Sequence, residues 1–238
     1  MNKLAKKSAL VLFSGGQDST VSLLWACKNF DYVETVGFNY NQRHIVEMDC
    51  RNLILKKIKN MSNKHINIIF DDHIIDMSAL GNISETSLTR DSKIFIEDND
   101  LPNTFVPGRN LLFFNYAAAL GWRRNIFDLV GGMCDTDYSG YPDCRRETIS
   151  SLTKTISLGL DKKVNIHTPL MNMNKAEIWQ LSYDLGGDKF QKIVIEDTHT
   201  CYLGDRSKLN DWGYGCSSCP ACRLRSDGYN EWIKQNAL

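Results

Sequence analysis

No apolar run in this chain approaches the roughly 18 residues that would suggest a membrane span. Its charge is balanced, with 28 basic and 28 acidic residues, so it has no overall basic field to attract nucleic acid. There is no internal repeat and no low-complexity tract, which argues against a solenoid and against compositional disorder. The charged start Met1–Lys7 is followed by no apolar core of signal-peptide length, and Ser8 to Phe13 read as a first strand. These absences lead us to expect a cytoplasmic protein with no membrane partner and no direct nucleic-acid partner. At 238 residues the chain can form one large α/β domain with a small appendage.

What is present begins at Ala9–Thr20, A-L-V-L-F-S-G-G-Q-D-S-T. A short apolar strand stops at Ser14-Gly15-Gly16, and a helical pattern starts near Asp18 and Ser19. Adjacent glycines let backbone N–H groups converge without a Cβ in the way. Asp18, Ser19 and Thr20 suit a helix N-terminus, whose free N–H groups and dipole favour an anion. The Walker lysine is missing. S-G-G-x-D-S instead matches the pyrophosphate-loop signature of adenylating enzymes, which cut ATP between its α and β phosphates. A merely glycine-rich strand-to-helix turn is the plain alternative.

Further along, Val21, Leu24 and Trp25 give a helical stripe ending near Lys28-Asn29. Thr35–Asn39 reads as a second strand, and His44–Lys59 as a helix with Val46, Cys50, Leu53 and Ile54 on one face. Ile66–Phe70 reads as a third strand. Asp71–Pro107 is less regular, with turn signals at Gly81-Asn82 and Asp98–Pro102. Arg109–Arg124 is helical, and Ile126–Gly131 forms a fourth strand running into Gly131-Gly132. Ile149, Leu152 and Ile156 mark another helix, and Val164–His167 a short strand. Asn174 caps a helix with Ile178, Leu181 and Leu185 inward, ended by Gly186-Gly187. This alternation predicts a twisted parallel sheet covered by helices on both faces, a Rossmann-like α/β fold. Ligands of such sheets lie beyond the strands' carboxyl ends, so the loops after Phe13, Asn39 and Gly131 should share one site.

Of eight cysteines, Cys27, Cys50, Cys134 and Cys144 are scattered, whereas Cys201, Cys216, Cys219 and Cys222 gather late in the chain. Cys216–Cys222 is two overlapping C-x-x-C units, and fourteen residues separate Cys201 from Cys216. Two such cysteines can aim both sulfurs at one ion, and four thiolates suit closed, structural zinc. An iron–sulfur cluster uses the same ligands, and a disulfide pairing is disfavoured in a reducing compartment. His199 then reads as a neighbour of the metal ligands or of ATP rather than as a ligand.

The order of further segments is specific. Tyr40–His44 with Glu47 is followed by Val106–Asn110, then Asp135 and Tyr141–Arg145. Thr168-Pro169-Leu170 with Lys175 and the terminal cysteines complete the set. Through these segments the chain resembles the 7-cyano-7-deazaguanine synthase family of the queuosine pathway, within the pyrophosphate-loop ATPases, over nearly its whole length. It departs from the family pattern at Ser217, at Tyr229 and in the longer interval Asp205–Tyr214.

The resemblance implies an adenine nucleotide alpha hydrolase-like α/β domain over residues 1–195 and a zinc-binding region over 196–238 packed on it. It implies a homodimer that turns 7-carboxy-7-deazaguanine and ammonia into the 7-cyano product at the expense of ATP. The acid would be adenylated, converted to an amide, and adenylated again before the nitrile forms. The expected cofactors are ATP, Mg²⁺ and one structural Zn²⁺ per chain. ATP would lie on Leu12, Phe13, Ser14, Gly15, Gly16, Gln17, Asp18, Ser19, Thr20, Val21 and Ser22. Asp18, Arg43, Arg109 and Lys175 are the expected catalytic residues. Tyr40, His44, Asp135, Tyr141, Asp143 and Arg145 would contact substrate, and Cys201, Cys216, Cys219 and Cys222 would hold the metal. A tRNA sulfurtransferase on the same loop would want a basic RNA-binding surface, and a zinc-dependent binding module would not need Asp18-Ser19-Thr20 intact.

Overall fold

In the computed structural model, residues 7–61, 69–98, 101–134 and 141–237 are described. Strands β1 (Ser8–Leu12), β2 (Tyr32–Asn39), β3 (Ile69–Asp76), β4 (Asp128–Val130) and β5 (Asn165–His167) form a sheet. Its order is β3-β2-β1-β4-β5 and every pairing is parallel. The strand order reverses at β1, so a crevice opens at the carboxyl ends of β1 and β4.

Period-two alternation in β1 decides which residues meet which layer. Ala9 and Val11, with Phe13 just beyond, join one apolar layer, while Leu10 and Leu12 join the other. The first layer is covered by α1 (Gln17–Asn29), α2 (Val46–Lys59), α6 (Lys175–Asp197) and α7 (Pro220–Asn236). The second is covered by α4 (Arg109–Arg124) and α5 (Arg146–Gly159). Ile149, Leu152 and Ile156 are all buried, as the spacing requires. Among the described residues no helix is long and apolar enough to cross a membrane.

Several boundaries differ from the sequence reading for physical reasons. β2 starts at Tyr32, three residues earlier than expected. Of the expected third strand, residues 66–68 lie outside the described residues, and β3 continues through Phe70-Asp71-Asp72-His73 to Asp76. As an edge strand with most side chains exposed, it carries carboxylates at little desolvation cost. Leu53 of α2 is exposed at 44 %, and Arg51 is buried instead. The Arg51 guanidinium pairs with Asp72 and lies over the Phe13 ring, 5.0 Å from its centroid.

Gly81-Asn82 is not a turn but lies inside α3 (Ser78–Ile83). A Cβ on Gly81 would meet the Tyr40 carbonyl oxygen at 2.0 Å, so glycine is required by close approach. Part of the Asp98–Pro102 turn, residues 99–100, lies outside the described residues; its flanks meet through a bridge between Ile96 and Pro102. Asn174 caps α6 reciprocally with Glu177, at 2.9 and 2.8 Å. Gly187 (φ 61°, ψ −161°) kinks that helix rather than ending it, and the chain resumes helical winding to Asp197.

Gly81→Ala should therefore destabilise the fold by about 1–3 kcal/mol through forced backbone displacement. Gly159→Ala, at the end of α5 with nothing within 4 Å, should be neutral or stabilising by about 0.5–1 kcal/mol. Urea unfolding of the two variants checks the pair, and equal midpoints would contradict it.

Candidate active site

The loop between β1 and α1 is shaped by backbone packed on backbone. Gly15 has φ 97°, in the left-handed region. A Cβ there would stand 2.4 Å from the Glu47 carbonyl oxygen, and one on Gly16 would stand 3.2 Å from that of His199. Behind the loop, a Cβ on Gly132 would meet the Asp18 carbonyl carbon at 2.9 Å. Side chains finish the turn. The Ser19 hydroxyl accepts from the Ser14 and Gly15 N–H groups at 3.2 and 3.3 Å and donates to the Gly16 carbonyl at 3.1 Å. Thr20 Oγ1 donates to the same carbonyl at 2.7 Å. Ser14 Oγ donates to Glu47 Oε1 at 2.8 Å, and His44 Nε2 lies 3.3 Å from Glu47 Oε2.

Gly16 begins α1 without a side-chain cap, which leaves its first N–H groups for an anion. Lys175, the first residue of α6, reaches Asp18 Oδ2 at 2.7 Å and is nearly buried. A side chain from the N-terminus of α6 thus reaches into the first turn of α1. Gln17, Val21 and Ser22 are buried, and Leu12 and Phe13 belong to the core. These five support the loop from below.

A second group stands beyond β2. Arg109 opens α4 after Gly108, which adopts φ 72°. Its Nη1 donates to the Tyr40 hydroxyl at 3.2 Å. Its guanidinium lies over the Tyr40 and Tyr141 rings, 5.9 and 5.7 Å from their centroids. Burial disfavours the charged form of Arg109, but the surrounding Tyr40, Tyr141 and Asp143 outweigh it and raise its pKa. Tyr141 shares a 2.6 Å hydrogen bond with Thr104. Asp143, buried in the single 3₁₀ turn Pro142–Cys144, accepts from the Asn110 N–H at 2.9 Å and so holds the start of α4. Asn110 Nδ2 also reaches the Cys144 sulfur at 3.2 Å.

Of three further expected site residues, Arg43 and Arg145 are among the described residues. Arg43 is engaged with Asp91 at 2.6 Å and the Ser92 carbonyl at 3.1 Å. Since Asp91 is 90 % exposed, this pair holds Arg43 weakly. Arg145 is exposed at the start of α5. Asp135 lies outside the described residues.

The sulfurs of Cys201, Cys216, Cys219 and Cys222 all lie within 4.8 Å of one another. Cys216–Cys222 and Cys201–Cys219 are 3.9 and 4.0 Å apart. A tetrahedron with metal–sulfur bonds of about 2.3 Å has edges of about 3.8 Å, so the cage has the size zinc requires. Protons shared within it separate the thiols. Hydrogen bonds from Cys219 and Cys222 lower the pKa of Cys201, and donation to Cys201 pushes Cys219 up to about 11. All four can be thiolates together when a cation sits among them. His199 is fully buried beside this cage.

Sequence reasoning missed three buried or half-buried arginines. Arg51 braces the loop from beneath. Arg225 donates to the Trp212 and Val194 carbonyls and to Thr200 Oγ1 at 2.7–2.9 Å. Arg206 donates to the Thr198 and Glu196 carbonyls. The available signals were a charge on the apolar stripe of α2 and a cation inside the longer Asp205–Tyr214 interval. A further group, Glu34, Asp71 and His73, is already closed by Arg124, which donates from Nε and Nη2 to Glu34.

The model of the queuosine biosynthesis protein QueC family matches residues 8–233. A 7-cyano-7-deazaguanine synthase of Rhodopseudomonas palustris (strain TIE-1) is 54 % identical over 226 residues, covering 95 % of each chain. Those of Parvibaculum lavamentivorans and Paracidovorax citrulli are 54 % and 52 % identical, covering 98 % and 96 % of this chain and 98 % and 97 % of theirs. Among solved structures, a 4-thiouridine synthetase–RNA complex with bound ATP has a TM-score of 0.54 at 15 % identity. It covers 95 % of this chain and 53 % of that one, a likeness of fold alone. Sequence identity at this level across nearly whole chains reaches further than fold, and the chain belongs to the QueC family of queuosine biosynthesis proteins.

Proposed function

We propose that this protein converts 7-carboxy-7-deazaguanine and ammonia to 7-cyano-7-deazaguanine, adenylating first the acid and then the amide with ATP. The observation that carries this reading is the uncapped start of α1 at the Ser14–Thr20 loop, with Lys175 from the start of α6 on Asp18. A carboxylate is a poor electrophile. Transfer of AMP makes it an acyl phosphate, whose carbonyl ammonia attacks with loss of AMP. Adenylation of the resulting amide oxygen then allows the nitrile to form as AMP leaves a second time.

The free N–H groups at the start of α1 receive the phosphates, and Lys175 offsets charge as pyrophosphate departs. Asp18 is the residue to hold Mg²⁺, which when bound shields the phosphates. Arg109 is a permanent cation between two aromatic rings, suited to the substrate carboxylate. Tyr40 and Tyr141 supply the flat walls a purine-like base needs. Asp143 fixes the turn that presents Arg109, and Arg145 lies nearby in sequence. Arg43 can leave its exposed partner Asp91 to meet developing charge. His44 is tied to Glu47, which favours a positioning role over that of a free base. The four cysteines hold one structural zinc ion. We propose residues 1–195 as the catalytic unit with 196–238 packed on it, working in the cytoplasm as a homodimer on small molecules and without a direct nucleic-acid partner.

Incubation with 7-carboxy-7-deazaguanine, ammonium, ATP and Mg²⁺, followed by mass spectrometry, should give the nitrile with two AMP per product. Amide as the sole end product would refute the second adenylation. Asp18→Ala should reduce AMP formation by about 10²-fold or more with unfolding unchanged, and normal turnover would remove the loop from the mechanism. Cys219→Ser should lower zinc content and stability together, because metal binding adds to folding free energy; full zinc occupancy would refute its role as ligand.

A further inference from the structure

The zinc cage and the phosphate loop are far apart in sequence, yet one buried residue touches both. His199 donates its backbone N–H to the Gly15 carbonyl at 3.1 Å. Its own carbonyl oxygen sits against Gly16, where a Cβ would come within 3.2 Å. The imidazole turns the other way. Its Nε2 lies 2.9 Å from the carbonyl of Cys201, one of the four sulfur ligands, and so carries the proton. Nδ1 is buried with no hydrogen-bond partner among the described residues.

The rest of this segment is pinned from outside. Thr198 Oγ1 donates to Val194 at 2.6 Å, Arg206 donates to the Thr198 carbonyl at 3.1 Å, and Arg225 donates to Thr200 Oγ1 at 2.9 Å. Residues 198–201 therefore behave as a short strut with the cage at one end and the glycine turn at the other. The Cys201 carbonyl, the His199 ring and the backbone against Gly15 and Gly16 thus form one continuous path.

We infer that His199 is a positioning residue that couples the four-cysteine site to the nucleotide site, so that zinc shapes the phosphate loop and bound nucleotide in turn holds the zinc. The inference rests on the ATP and zinc assignments proposed above. Linkage makes the coupling reciprocal: a nucleotide favouring the ordered loop must raise the affinity of the cage for the metal. Zinc is then more than a clasp for the C-terminal region, because its loss weakens nucleotide binding before the domain unfolds.

The test uses the full chain, its zinc content measured by mass spectrometry and its affinity for Mg²⁺–α,β-methylene-ATP by calorimetry. Zinc affinity is measured by equilibrium competition with a chromogenic chelator, with and without that nucleotide. We expect saturating nucleotide to tighten zinc binding by about fivefold or more. His199→Ala, at full zinc content, should lose most of this effect and bind nucleotide more weakly. His199→Gln, whose amide nitrogen can replace Nε2–H, should restore both. Equal zinc affinities with and without nucleotide in the wild-type chain would overturn the coupling, as would the full nucleotide effect in His199→Ala. That comparison in the wild type stands even if His199→Ala fails to fold. A chain that holds no zinc or binds no nucleotide would instead overturn the underlying assignments, and the two measurements of binding separate these failures.

Discussion

Close backbone packing around Ser14–Gly16 is the constraint on which the rest of this structure depends. A phosphate loop needs N–H groups turned outward, and their carbonyls must find partners inward. Here Gly15 admits the Glu47 carbonyl at a distance that a side chain would forbid, and Gly16 lies tight against the His199 carbonyl. The turn is therefore built from α2, from the segment after α6 and, through Gly132, from the end of β4. No one of these elements can shift without moving the loop.

That constraint explains what the sequence could and could not tell. S-G-G-Q-D-S-T is local, and its strand, turn and helix lie where they were expected. The bounds of α4 were also legible, because Gly108 and Asn125 adopt left-handed conformations at either end of a continuous helical pattern. The four cysteines announced themselves by spacing. What escaped notice was set by tertiary partners. Arg51 occupies the inward face of α2 where Leu53 was expected, because Asp72 on β3 supplies its counter-charge. Gly81 looked like a turn residue, yet it answers to the Tyr40 carbonyl forty-one positions earlier. Helix α7 and the meeting of Arg109 with Tyr40 and Tyr141 depend on folds of the chain that no local window contains.

Charge balance over the whole chain also conceals how unevenly the charges are used. Arg225 is fully buried, and its hydrogen bonds go to carbonyls and a hydroxyl rather than to a carboxylate. Burial draws its pKa down to about 10, still well above neutrality, so it remains a cation. It lies over the Trp179 ring at 5.6 Å and joins α6, α7 and the loop at Trp212. Removing the cation would take a donor from the Trp212 carbonyl and from Thr200 Oγ1 in the interior, while the Val194 carbonyl would keep Thr198 Oγ1. The arginine thus serves as a rigid spacer whose strength comes from directional hydrogen bonds.

The same logic bears on why residues after 195 cannot be regarded as an appendage. Cys201, Trp212, Cys222 and Trp232 share one apolar layer with Val11, Phe13 and Trp179. Trp179 donates its indole N–H to the Arg225 carbonyl at 3.3 Å, and Trp232 donates its own to Gln180 at 2.9 Å. α6 is therefore clamped by α7 along the half that begins with Lys175, and Lys175 is the group that reaches Asp18. A Cβ on Gly228 of α7 would strike Lys175 Cβ at 2.3 Å, so the position of that lysine is set by the C-terminal helix. On the proposed chemistry one phosphate site serves two successive adenylations, and each requires the ammonium of Lys175 in the same place. On that reading the C-terminal region supplies that repeatability by packing on Lys175.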